Sequence, residues 1–309
     1  MSTTGSRVVR LGAALYYGGL RALGATALRR RLQDAGLILC YHNVVSGEDD
    51  QRGDPELHVP RWKFERQMRW LRDHYDVVSL HDLIDRLDSG EAARSTAAIT
   101  FDDGYGGFFQ YAVPVLRTLG IPATVFVVAE AAGRSAGYWW DHPEVVQALT
   151  PARRQQWLDD LRGDGSTILS GIQASAVVAL PPPLRPASWG TIRAHLGGGI
   201  DVGGHSATHR ALPTLTREEL EHEIITSRTA IHQATGVWPE FFAYPYGLWN
   251  SRVRALVREA GYRAALSLDA GLNTAATDRW SLRRVNVPAG ITEAAFEGWA
   301  AGFPSPRDH

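Results

Sequence analysis

Ala97-Ala98-Ile99-Thr100-Phe101-Asp102-Asp103-Gly104 is an apolar run that ends in two adjacent carboxylates and a glycine. A five-residue apolar stretch is the length of a buried strand, and charged residues at its end mark where the chain leaves the core. Working outward, similar short β-like runs recur at 37–42, 76–79, 123–128, 200–203, 240–244, 263–268 and 284–287. Helical patterns lie between them at 62–74, 108–119, 217–235 and 251–260. The clearest is 217–235. Thr216 and Glu219 form a capping box, Leu220, Ile224, Ser227 and Ile231 recur at helical spacing, and Gly236 stops the helix. Repeated strand–helix units imply parallel strands with helices outside. About seven or eight such units predict an α/β fold: a single-domain (β/α) barrel of parallel strands, distorted or incomplete.

In such a barrel the site is assembled at the carboxyl ends of the strands. Asp102-Asp103 follows one strand, and His205-Ser206-Ala207-Thr208-His209 follows another, just after Gly203-Gly204. Neither half is rare alone. A chain with 11 His in 309 residues holds about 0.4 His-x-x-x-His pairs by chance. Two further Asp pairs occur: Asp49-Asp50, in a polar run that reads as a solvated loop, and Asp159-Asp160, on the charged outer face of a helix. Only Asp102-Asp103 ends a buried strand and is followed by Gly104-Tyr105-Gly106-Gly107; the bland alternative is a helix N-cap beside a surface carboxylate. His205 and His209 share one face if the residues between them turn helically. Two imidazoles and one carboxylate can hold a divalent metal with a position left open, and a second carboxylate remains to take a proton from water.

The motifs resemble those of the polysaccharide deacetylases, the NodB-homology carbohydrate esterases. Thr100-Phe101-Asp102-Asp103-Gly104 and His205 to His209 are similar to the first two motifs, and Phe242-Ala243-Tyr244-Pro245-Tyr246-Gly247 to the third. The resemblance runs from about residue 36 to 290. It implies a metal-dependent hydrolase that removes acetyl groups from N-acetylhexosamine units of a polysaccharide or its lipid-linked precursor. It also implies Asp102 as general base, and Asp103, His205 and His209 as ligands of a divalent metal, zinc first, with Co2+, Ni2+ or Fe2+ as alternatives. Pro245, Tyr246 and Gly247 would line the groove, with the Tyr246 backbone N–H on the oxyanion. Two departures stand out. Ala243 occupies the place of the family's orienting arginine, with Arg283 or Arg284 as substitutes, and the late Leu-x-His motif that supplies the acid is missing. A subgroup resembling the poly-N-acetylglucosamine deacetylases draws its acid from an early Tyr-His motif, which here is Tyr41-His42; His42 is therefore the expected acid. Rival readings are an O-acetyl carbohydrate esterase, a two-His-one-carboxylate iron oxygenase, and a non-catalytic glycan-binding relative suggested by Ala243.

Hydrophobic content of 44% and charged content of 21% describe a globular chain with an ample core, and a net charge of −1 gives no case for a nucleic-acid partner. The single cysteine, Cys40, excludes an intrachain disulfide and leaves the compartment unread. The segment 136–186 departs from the strand–helix rhythm and reads as an insertion over one rim, mostly structural covering. The alternative is a sugar-binding wall on Trp139 and Trp140, because exposed indoles stack on sugar rings. Residues 1–35 form a separate basic segment ahead of the barrel at 36–309. From Ser2 to Gln33 there are six arginines and no acid, around an uncharged run at 11–20 that is too short to span a bilayer. Ala25-Thr26-Ala27 resembles a signal cleavage site, but Arg21 and several glycines interrupt that pattern. The preferred expectation is a basic amphipathic segment, lying on a membrane surface or packed on the domain. A cytoplasmic or membrane-peripheral location is favoured, with secretion left open.

Overall fold

A computed structural model describes residues 3–47, 53–175 and 180–304; the Asp49-Asp50 loop lies outside them. Two helices come first, α1 (Thr3–Ala22) and α2 (Ala25–Leu32), with Gly24 turning between them at φ 69°. Next come β1 (Leu37–Tyr41), β2 (Asn43–Val45), β3 (His58–Pro60), α3 (Arg61–His74), β4 (Asp76–Val77) and α4 (Leu80–Ser89). Then follow β5 (Thr96–Phe101), α5 (Val113–Leu119) and β6 (Ala123–Val127). The insertion contributes α6 (Pro143–Ala148), α7 (Pro151–Asp159) and α8 (Gly165–Gly171), followed by α9 (Trp189–His195) and β7 (Ile200–Gly204). The chain continues with α10 (Arg217–Glu221), α11 (Ser227–Thr235), β8 (Phe241–Ala243), α12 (Ser251–Glu259), β9 (Ala264–Leu266), β10 (Val285–Asn286) and α13 (Glu293–Ala300).

The main sheet is parallel throughout, in the order β10-β1-β5-β6-β7-β8-β9, with β4 also paired to β5. Beyond β9 the hydrogen bonds continue to Leu282, which bridges Leu266 in parallel just before β10 begins. The last staves are thus a short run rather than a full strand, and the barrel is distorted as the sequence predicts. The small β2–β3 pair was not expected from the sequence.

Strand alternation places the chemistry. Leu37, Leu39, Tyr41, Ala97, Ile99 and Phe101 join a cluster with the α3 and α5 side chains, outside the barrel. Ile38, Ala98, Phe126, Phe241, Ala243 and Leu266 form a second cluster, inside it. Helix α4 completes that inner cluster with Leu80, Leu83, Ile84 and Leu87, an i, i+3, i+4, i+7 stripe. Leu83 packs beside Gly36 at the start of β1, so α4 covers the amino-terminal end of the barrel. Cys40, Thr100 and Asp102 share strand parity with Ile38 and Ala98, two or four residues further on. The apolar interior therefore gives way to polar side chains at the carboxyl end, where Asp102 and Arg284 are both buried.

Candidate active site

The chain turns sharply after β5. Asp103 adopts φ 69° and Gly104 φ 68°, which separates the directions of the two carboxylates. Gly107 is required by close approach: a Cβ there would collide with the Val44 carbonyl and the Asn43 amide oxygen.

Asp102 is held by Arg284, a fully buried guanidinium. Nη1 donates to Oδ1 and Nη2 to Oδ2, each at 2.7 Å, while Nε donates to the Ser267 carbonyl at 2.8 Å. Burial alone would raise the Asp102 pKa, but the Arg284 charge, the His205 charge and the Arg284 hydrogen bonds together outweigh it and hold the carboxyl well below the usual range. Of the two substitutes for the missing third-motif arginine, Arg284 fills the role. Arg283, its neighbour in the segment ahead of β10, is exposed.

Asp103 faces the histidines. Its Oδ1 lies 3.4 Å from His205 Nε2 and 3.3 Å from His209 Nε2, and the two nitrogens are 3.1 Å apart. His205 Nδ1 pairs with the Ala243 carbonyl at 2.8 Å, which fixes the tautomer and turns the Nε2 lone pair toward Asp103. The His205–His209 loop is not one helical turn, as the sequence reading supposed. Ser206 and His209 have φ near 65° and the Ser206 hydroxyl accepts from His209 N–H. Burial lowers the His209 pKa to about 3, which leaves that imidazole neutral, the form that binds metal. Burial also presses on His205, but Asp102 and Asp103 outweigh it and raise its pKa. Asp103 Oδ1 is a buried oxygen without a hydrogen-bond partner, aimed at two imidazole nitrogens. An orphaned anion between two nitrogen lone pairs is the donor set of a divalent cation, and these residues fit one.

His42 follows β1 on the interior face. It is half-buried, and a side-chain donor atom from each of Cys40, His42 and Asp102 falls within 4.8 Å of the others. Burial lowers the His42 pKa, partly opposed by Asp103 and Asp102. His42, Asp102, Asp103, His205 and His209 open into one cleft of about 190 Å³, whose wall also includes Trp140, Tyr246, Arg154 and Asn286.

The other expected contact residues divide. Tyr246 sits at φ 58° with its ring against His209, centroids 4.5 Å apart, and Trp140 covers the same imidazole at 4.7 Å. Trp139 is buried behind them and donates to the Tyr246 hydroxyl, so it supports the wall and does not line the cleft. Pro245 and Gly247 frame Tyr246 from outside the lining; Gly247 abuts Leu268. The insertion is therefore more than covering. Its Asp141, fully buried, accepts from Tyr105 Oη at 2.6 Å and from Asp54 N–H at 2.9 Å, and its Oδ1 lies 3.0 Å from His58 Nε2. That carboxylate ties the 53–58 segment, and with it Asp54 and Glu56 on the cleft wall, to the rim. Sequence reasoning also missed Glu223. Its buried carboxylate accepts from the backbone N–H of Ala207 at 3.0 Å, from that of Thr208 at 2.9 Å, and from the Thr208 hydroxyl.

Comparison with known proteins bears on the family and the fold. The family model described as polysaccharide deacetylase matches residues 89–265. YxkH of Bacillus subtilis, named for the same family, is 24% identical over 265 residues, covering 84% of this chain and 74% of that one. The poly-beta-1,6-N-acetyl-D-glucosamine N-deacetylase of Escherichia coli K12 is 25% identical over 257 residues, 77% of this chain but only 34% of that protein's length. In fold, the structure of IcaB from Ammonifex degensii superposes with a TM-score of 0.62 at 19% identity, covering 87% of this chain and 98% of that one.

Proposed function

The chain belongs to the polysaccharide deacetylase family, and on that premise we propose that it hydrolyses the acetamido group of N-acetylhexosamine units in a polysaccharide or its lipid-linked precursor. The observation that carries this reading is the pairing, in one cleft, of an orphaned Asp103–His205–His209 donor set with an anionic Asp102. Asp103, His205 and His209 would hold the divalent metal. Zinc is our choice, because two neutral imidazoles and a carboxylate suit it. When bound, the metal supplies Lewis acidity, which lowers the pKa of water and polarises the acetyl carbonyl.

The chain's own residues do the rest. Asp102 accepts the proton of the attacking water. Arg284 keeps that carboxylate anionic and oriented, and for the same reason Asp102 gives the proton up readily. That proton passes from Asp102 to His42, which lies within reach of it, and His42 delivers it to the departing nitrogen, leaving acetate and a free amine. The Tyr246 backbone N–H, at a left-handed turn on the cleft wall, is our choice for the oxyanion donor. The glycan-binding alternative was motivated by Ala243, and Arg284 in the vacated role removes that motive.

The test is acetate release from N-acetylhexosamine oligomers after chelation and metal restoration. Wild type should recover activity with zinc, Asp102→Asn should lose nearly all of it, and His42→Ala should lose roughly 10²–10⁴-fold in kcat. Full activity of Asp102→Asn, or turnover without metal, would overturn the mechanism. Release only from O-acetylated sugars would move the substrate to esters.

A further inference from the structure

Helices α1 and α2 attach to the barrel by one side. On α1 the stripe Ala13, Tyr17 and Leu20 faces the core; Trp299 Nε1 donates to the Tyr17 hydroxyl at 2.9 Å, and Arg21 pairs with Glu297 at 3.3 Å. The other side of α1 carries Gly12, Leu15, Tyr16 and Gly19, all exposed. Leu23 follows the helix at 85% exposure, and Leu28 and Leu32, one turn apart on α2, are 60% and 70% exposed. Five of the nine exposed large hydrophobic residues of the described chain thus lie within residues 15–32. No element among the described residues covers them, and an uncovered apolar patch of this kind marks a docking surface.

The charge on this surface names the occupant. Residues 12–33 include four arginines and no acid. Arg30 is taken up in the fold, against Trp70 and Tyr75, but Arg29 and Arg31 remain exposed beside the leucines, and Arg31 has no ion-pair partner among the described residues. Exposed leucines interleaved with arginine and free of carboxylates fit an anionic bilayer surface. Among the described residues no helix is long and apolar enough to cross a membrane, so binding by these helices lies in the plane of the interface. A second cavity, lined by Arg29, Gln33 and Arg283, shares Leu268 and Asn286 with the catalytic cleft.

We propose that the outer face of α1 and α2 docks the chain on an anionic lipid bilayer, through Leu15, Tyr16, Leu23, Leu28 and Leu32 with Arg29 and Arg31. The docking does not depend on the catalytic reading, and it is measured without turnover.

The experiment is co-sedimentation of the full chain with vesicles of phosphatidylcholine, alone or mixed with phosphatidylglycerol, at low and high salt. Wild type should bind the mixed vesicles and bind pure phosphatidylcholine weakly. Arg31→Glu should lower partitioning onto mixed vesicles by about fivefold or more, and added salt should erase that difference. The triple variant L23E/L28E/L32E should stay in the supernatant at both compositions. Hydrogen exchange of the wild type provides a second readout that needs no variant: residues 15–32 should slow on mixed vesicles while the far side of the barrel does not. A wild type that ignores phosphatidylglycerol vesicles would overturn the proposal. So would a dimer in solution that the triple variant dissociates, which would make a second copy the occupant.

Discussion

Arg284 shows how a single side chain decides what the carboxylate proposed as general base can do. A buried guanidinium survives only when its donors are satisfied, and here they reach both oxygens of Asp102, the Ser267 carbonyl and the Thr100 hydroxyl. The pKa of Asp102 is depressed, so its contribution to stability is present above the unfolded value near 4 and is lost only as pH falls through the lower folded value. Near neutral pH the pair is intact. Arg284→Lys keeps the charge but loses the two-pronged grip, which frees Asp102 to rotate. We expect kcat to fall roughly 100-fold with KM little changed, whereas Arg284→Ala should also destabilise the fold by about 3–5 kcal/mol. Steady-state kinetics with a denaturant titration separate the two effects, and unchanged kcat in Arg284→Lys would refute the orienting role. The sequence shows two adjacent arginines in this region but not which one points inward. That depends on the register of β10 against β1, where Cys40 faces Asn286, and a shift of one residue would exchange the two faces.

At the scale of the element, the 217–235 helix has a similar lesson. Its capping box and its stop at Gly236 are as the sequence reads them, yet residues His222–Thr226 form a π turn between α10 and α11. A π turn shifts the phase of the helix and often marks a functional position. Glu223 lies within it, buried against the loop that joins His205 and His209, the two histidines proposed as metal ligands. Periodicity alone could not signal this, because a lone Glu inside a charged helix normally reads as solvated. Its partners are backbone N–H groups that become available only when Ser206 and His209 take left-handed conformations. Glu223→Gln keeps the volume but replaces an acceptor oxygen with a donor facing backbone donors. The loop should loosen, and zinc affinity should fall about 10–100-fold in a competition titration, with the barrel still folded by circular dichroism. Wild-type affinity in Glu223→Gln would mean that the strand ends alone fix the histidines.

For the whole molecule, the strand–helix rhythm made the barrel legible because each stave is a local apolar run with its own turn residues. What stayed illegible was long-range: the β2–β3 pair, the closure through Leu282, and the inward tie of Asp141 to residues 54 and 58. The proposed metal site is long-range in the same sense. Asp103 follows β5, His205 and His209 follow β7, and β6 lies between these strands, so the three candidate ligands converge only when the sheet has curled. A metal held there would bind the native state far better than the unfolded chain and stabilise it by mass action. At a free concentration about 1,000 times Kd the gain is about 4 kcal/mol, which in a chain of this size raises Tm by several degrees. Chelation should lower Tm by that amount and zinc should restore it. His205→Ala should melt at one temperature in either condition. Protons compete for His205, whose pKa is raised, while His209 stays neutral down to about 3, so the zinc-dependent shift should already shrink as pH falls toward the ordinary histidine value of about 6.5. Equal shifts in wild type and His205→Ala would place the stabilising metal elsewhere on the molecule.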